Sequence, residues 1–113
     1  IAPDVYMDMM YMPDALRATV ELMEADPAKL KHRNSFNIAA MSFTPEIIRE
    51  VVERHVPGFQ MEYNVDPVKD VISRSWPNSL DDTCAREEWG WKPEWDLESM
   101  TKDMLEKVAA KLK

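Results

Sequence analysis

The chain has 113 residues, 45% hydrophobic and 31% charged, with a formal net charge of −7 and one cysteine, Cys84. That length bounds a single domain, and the acidic balance argues against a nucleic-acid partner, because phosphate contacts need clustered Lys and Arg. A lone cysteine excludes an internal disulfide and fits a reducing compartment, and no apolar run approaches the ~20 residues of a membrane helix, so a soluble, cytoplasmic protein without a membrane partner is expected.

The chain opens on Ile1 rather than Met and lacks the basic and apolar regions of a signal peptide,. It reads as a chain entered partway through. Residues 7–12 (MDMMYM) form a short apolar run, read as a buried strand,. Pro13 suits a first helical position, and Ala15, Leu16, Thr19, Val20 and Met23 follow at helical spacing, giving a helix to about Glu24,. Residues 35–40 (SFNIAA) read as a second strand. Thr44, Pro45 and Glu46 then start a helix with a capping hydroxyl, a proline with no N–H to leave unpaired and an acid at the positive end of the dipole,. Val56-Pro57-Gly58 stops it.

Residues 60–65 alternate Met61, Tyr63 and Val65 with polar neighbours, a strand pattern,. A short helix over residues 67–73 leads to Ser75-Trp76-Pro77, where proline biases Trp76 to an extended backbone,. Asp81 or Asp82 caps a helix ending at Trp89, with Gly90 at its C-cap,. Asp96 caps the last helix, on which Leu97, Met100, Met104, Leu105, Val108 and Leu112 keep a three-to-four spacing,. Its charges pair as Glu98–Lys102 and Asp103–Lys107 in this reading. Several helices with a few short strands make an α+β arrangement, with too little strand for a doubly wound sheet.

Most catalytic arrangements are missing. A dinucleotide loop needs glycines at one strand-to-helix turn, and the chain has only Gly58 and Gly90. No tyrosine is followed four residues later by lysine: Tyr6, Tyr11 and Tyr63 meet Met10, Ala15 and Pro67 at that offset. His32, His55 and Cys84 are far apart in sequence, so they read as solvated or helix-terminal histidines and a small buried or half-buried helix residue with no recognisable base,. The pairs Asp81-Asp82 and Glu87-Glu88 read as caps and solvated faces.

Three segments carry a resemblance. Asp81-Asp82-Thr83-Cys84-Ala85-Arg86-Glu87-Glu88-Trp89-Gly90-Trp91-Lys92-Pro93, followed by Asp96 and the last helix, looks like the carboxyl-terminal signature of extended short-chain dehydrogenases/reductases, with Trp89 and Trp91 as structural pins. The stretch from Met7 to Ala15 is similar to a strand-to-helix segment that begins with Arg in nucleotide-sugar members; here Met7 stands in that place, and Ser73-Arg74-Ser75 replaces an Arg-x-Gly-Asp stretch. Met9 to Asp14, Met41 to Glu46 and Ser75-Trp76-Pro77 together resemble the short-chain, zinc-independent L-threonine 3-dehydrogenases, over essentially the whole chain.

The resemblance implies the small mixed substrate-binding lobe of such an enzyme over residues 1–113, its NAD-binding Rossmann domain lying upstream. It further implies oxidation of L-threonine to 2-amino-3-oxobutanoate with NAD, a homodimeric parent, and a mitochondrial rather than cytoplasmic setting if the source is eukaryotic. Catalytic and cofactor-binding residues belong to the absent domain, so none is assigned here and this chain alone is expected to be inactive. Trp76 is the candidate pocket wall, with Met10 and Tyr11 as further substrate-side candidates. Two alternatives stand: the same lobe of a nucleotide-sugar epimerase or dehydratase, and a free-standing interaction module built on the Met-rich first strand.

Overall fold

Residues 1–112 are described by a computed structural model. The first strand, β1 (Met7–Met9), is shorter than the apolar run that announces it. Tyr11 leaves the strand because its carbonyl accepts from the amides of Asp14 and Ala15 at 3.0 and 3.2 Å, opening helix α1 (Met12–Glu24). Pro13 therefore sits in the first turn, where its missing N–H costs nothing.

The second strand, β2 (Met41–Phe43), pairs antiparallel with β1, Met7 facing Phe43, Asp8 facing Ser42 and Met9 facing Met41. The strand expected at residues 35–40 does not form. Its backbone is engaged elsewhere: the Ala39 amide donates to Asp82 Oδ2 at 3.3 Å and the Ala39 carbonyl accepts from the Trp91 indole at 3.0 Å. Phe36 and Ile38 from this stretch still pack on the core.

Helix α2 (Pro45–His55) begins as its sequence predicts, with Thr44 Oγ1 accepting from the Ile47 amide at 3.2 Å,. Gly58, at φ 82°, turns the chain beyond it. The strand expected over residues 60–65 is absent as well: no ladder forms there, and Tyr63 is held instead by donating its hydroxyl to Glu46 Oε2 at 2.6 Å. Helix α3 (Pro67–Arg74) is capped by Asp66, which accepts from the amides of Val68 and Lys69.

Helix α4 (Thr83–Trp89) starts after Asp82, yet the Asp82 carboxylate does not cap it; Asp81 Oδ1 accepts from the Thr83 amide at 3.0 Å while Asp82 reaches to Arg86 and Ala39. Gly90 ends α4 in the left-handed region at φ 78°, and the Trp91 amide closes back on the Ala85 carbonyl at 3.2 Å,. Helix α5 (Leu97–Lys111) opens on a reciprocal box between Asp96 and Ser99 and packs on α2,. Asp103–Lys107 pair at 2.6 Å as expected, but Glu98 meets Arg54 and His55 of α2 rather than Lys102.

The architecture of the described residues is thus α+β: five helices around one two-stranded sheet. Trp91, Ala85 and Ala18 form its buried centre, with Met10, Phe36, Ile38 and Trp89 against it. The whole is a thin slab of 52 × 36 × 20 Å. Its radius of gyration, 16.9 Å, exceeds the ~13 Å of a close-packed domain of this length.

Helix α1 departs most from the sequence reading. The side it buries carries Asp14 and Ala18, while Met12, Leu16, Val20 and Met23, on a 3–4 spacing, face outward, Met23 with 80% of its surface exposed. An apolar stripe that would serve as the core face of an ordinary helix has no cover within the described residues.

Candidate functional site

Residues 75–80 form a loop that the rest of the fold holds in place. Arg74, ending α3, donates to both oxygens of Asp4 (3.2 and 2.8 Å) and to Asp70 Oδ2 (2.8 Å), and the Ala2 amide donates to Asp70 Oδ1 at 2.7 Å. Hydrogen bonds from Arg74 hold Asp4 below the usual carboxylate range; for Asp70 the Ala2 amide does most of this and Arg74 adds to it,. The far side of the loop is tied to the sheet: the Leu80 amide donates to Asp8 Oδ2 at 2.7 Å, and Ser42 Oγ donates to the Asn78 carbonyl. Asp8 and Ser42 face each other across the strand pair, so both attachments come from one register position.

Trp76 projects from this clamped loop with 55% of its surface exposed. A hollow of about 230 Å³ lies beside it, lined by Met7, Asp8, Met9, Pro77 and Leu80. The wall is apolar except for Asp8, whose carboxylate already accepts from Leu80. A small amphipathic ligand fits such a place; a diphosphate does not, since no cation lines it.

The structure does not bring Met10 and Tyr11 into that hollow. Met10 packs on the Ala18–Ala85–Trp91 centre. Tyr11 donates its hydroxyl to Asp103 Oδ2 at 2.6 Å, and its ring meets the edge of Trp95 at 5.0 Å. The hydrogen bond to the Asp103 carboxylate pushes the phenol above its ordinary range, so at neutral pH Tyr11 is a hydrogen-bond donor.

Two constellations were not legible in the sequence. The first centres on Asp14, 1% exposed, which accepts from Arg17 Nη2 at 2.9 Å, from the Glu94 amide at 3.1 and 3.2 Å, and from the Trp95 amide at 3.0 Å. Burial opposes its charge, but Arg17 and the two amides outweigh burial and keep the carboxyl below the usual range. Arg17 also donates to the Lys92 carbonyl at 2.6 Å and lies 4.8 Å over the Trp91 ring. In sequence, Asp14 reads only as a first-turn acid.

The second corrects the reading of His32, Cys84 and Glu88. Glu88 is buried rather than solvated, and Cys84 is exposed rather than buried. Glu88 Oε2 accepts from the amides of Lys31 and His32 at 2.7 and 3.0 Å, and Oε1 bonds His32 Nδ1. Burial raises the carboxyl, but the His32 amide, the imidazole and the Lys31 amide bring it below its ordinary range. His32 Nε2 then lies 3.9 Å from Cys84 Sγ. Ligand-type atoms of the three side chains fall within 4.8 Å of one another. The bonds run as a chain, from the Glu88 carboxylate to His32 Nδ1 and from His32 Nε2 to the Cys84 sulfur.

The described residues contain no fit for a dinucleotide. Gly58 and Gly90 both serve loop turns, at φ 82° and 78°, and neither lies between a strand and a following helix,. No helix among the described residues is long and apolar enough to cross a membrane. The fold is therefore that of a small mixed lobe which holds an aromatic residue over an apolar hollow, and its described residues include neither a glycine-rich cofactor loop nor a tyrosine followed four residues later by lysine.

Known proteins narrow that class. The chain is 55% identical to an L-threonine dehydrogenase from Clostridium difficile, with a TM-score of 0.93, over 97% of this chain and 34% of that one. An L-threonine dehydrogenase from Phytophthora infestans superposes at a TM-score of 0.94 with 43% identity, covering 98% and 36% of the two chains. A Staphylococcus saprophyticus protein named as an uncharacterized epimerase/dehydratase is 50% identical over all 113 residues and 35% of its own length. No protein-family model matches. The chain thus spans about a third of the length of these relatives. In sequence and fold it is similar to the carboxyl-terminal part of these L-threonine dehydrogenases.

Proposed function

We propose that these residues are the substrate-covering part of an NAD-dependent L-threonine 3-dehydrogenase, which oxidises the β-hydroxyl of threonine to give 2-amino-3-oxobutanoate. The observation that carries this reading is the likeness to threonine dehydrogenases along nearly the entire chain. NAD, in this reading, is held by an upstream Rossmann domain, since the residues described offer it no cradle. What these residues contribute is shape: Trp76 walls the site, and its fixed loop excludes water from one side of a small amino acid. Met10 and Tyr11 remain further substrate-side candidates in this reading, Met10 packed on the Ala18–Ala85–Trp91 centre and Tyr11 bonded to Asp103. The outward stripe of α1 is the surface that meets the NAD-binding part. A homodimer, and a cytoplasmic or, in a eukaryote, mitochondrial setting, follow from the same resemblance.

The name of the staphylococcal relative, an epimerase/dehydratase, favours a second reading, for which we take a nucleotide sugar as the substrate. The thioether of Met7 beside Trp76 speaks against it, because a diphosphate calls for a cation there,.

Assay of the protein joined to its NAD-binding part decides between them. NADH should form with L-threonine and not with UDP-sugars. Trp76→Ala should lower kcat/KM for threonine by about tenfold, a loss of ~1.4 kcal/mol, while leaving the KM for NAD unchanged. Turnover of a UDP-sugar without turnover of threonine defeats the proposal.

A further inference from the structure

We propose that Cys84 is a thiol–disulfide exchange site, with His32 as its base and Glu88 as the residue that positions the base, acting on a low-molecular-weight disulfide. The assignment does not depend on which substrate the parent enzyme oxidises.

Three observations carry it. Glu88 is buried and both of its oxygens are committed, Oε2 to the amides of Lys31 and His32 and Oε1 to the imidazole. A carboxylate held by its own chain's amides cannot swing away, so it fixes the ring and assigns the Nδ1 proton to the bond with Oε1. The lone pair on Nε2 then faces Cys84 Sγ, 3.9 Å away. Nucleophile, base and orienting acid stand in the order that activates a cysteine, although they come from sequence positions 32, 84 and 88. Finally, Cys84 is exposed and opens onto a hollow of about 450 Å³, which Ala28, Lys29, Lys31 and Glu87 complete. A small disulfide has room to reach the sulfur. The charged groups facing the thiol are His32, Glu88, Lys29, Lys31 and Glu87.

The step balances without a further reactant. Sγ gives up its proton to His32 Nε2 and attacks one sulfur of the disulfide; the new Sγ–S bond forms as the old S–S bond breaks. The departing thiolate takes the proton from Nε2. Cys84 is left in a mixed disulfide, one free thiol is released, and a second thiol reverses the reaction.

The test measures the alkylation rate of Cys84 by iodoacetamide and the formation of its mixed disulfide with oxidised glutathione, by intact mass, in the whole protein. At pH 7, His32→Asn should slow both by about tenfold or more, within the range a positioned base supplies. Glu88→Gln should slow them several-fold. Near pH ~10, where an unassisted thiol is already ionised, the rates of all three proteins should converge. A His32→Asn rate within twofold of the unaltered protein at pH 7 overturns the proposal, and so does a deficit that persists at pH ~10, since that reports access rather than a base. His32 lies half in solvent, so its substitution leaves the fold intact and decides the matter even if the Glu88 variant is unstable.

Discussion

Asp14 links three parts of the chain through one carboxylate. It sits in the first turn of α1, but its partners are Arg17 and the amides of Glu94 and Trp95, which bring the segment before α5 onto the helix. Replacing it by alanine strands two amides and a guanidinium, and the expected loss is about 3 kcal/mol, read from the chemical denaturation midpoint. The pH dependence follows from its depressed folded-state pKa. Such a group stabilises the fold fully above its unfolded value of ~3.9, and the contribution disappears as pH falls through the lower folded value. The stability gap between the unaltered protein and Asp14→Asn should therefore hold from neutrality to about pH 5 and close below pH ~4. A gap that stays constant through that window means that charge is not what Asp14 contributes.

At the scale of elements, what could be read in the sequence was what short-range chemistry decides. Thr44-Pro45, Asp66-Pro67 and Asp96 announce α2, α3 and α5 because the capping groups lie within three residues of the amides they satisfy,. Of the two strands that failed to form, the one over residues 60–65 was predicted from alternation alone. Strand identity depends on a partner, and the backbone of residues 35–40 finds Asp82 and Trp91 before it finds another strand,. For the same reason the Cys84–His32–Glu88 group was not legible, since 52 residues separate the cysteine from its base and no local pattern records that distance. Trp76 was legible as an aromatic before proline; its clamps, Asp8 and Ser42, were not. Gly90 shows local chemistry setting a long-range result: its φ of 78° ends α4 and turns Trp91 into the core. A Cβ there would meet nothing within 4 Å, so Gly90→Ala tests backbone conformation alone and should cost about 1 kcal/mol of unfolding free energy. Gly90→Asn should cost less, because asparagine tolerates the left-handed region. Equal losses for the two would point to lost space rather than strain.

For the molecule as a whole, the distribution of apolar surface is the quantity to explain. A slab 20 Å thick with a radius of gyration well above that of a close-packed domain keeps few side chains fully buried. One uncovered stripe, Met12, Leu16, Val20 and Met23, runs the length of α1, and solvated helices do not ordinarily carry such a stripe,. Its opposite side is committed to Asp14, Ala18 and Arg17, so rotation of α1 cannot hide it. Only another surface can, and under the proposed function that surface belongs to the NAD-binding part. The consequence is measurable in the 113-residue chain. It should bind an apolar-surface dye and sediment as associated species. The double substitution Leu16→Glu and Val20→Glu should abolish both, while far-ultraviolet circular dichroism stays unchanged, because substitutions at exposed sites shift stability by no more than about 0.5 kcal/mol each. In the protein joined to its NAD-binding part the same pair should lower the thermal midpoint, since two charges would then be buried without partners. If the pair leaves that midpoint unmoved, α1 faces water in the whole protein, and the stripe needs another explanation.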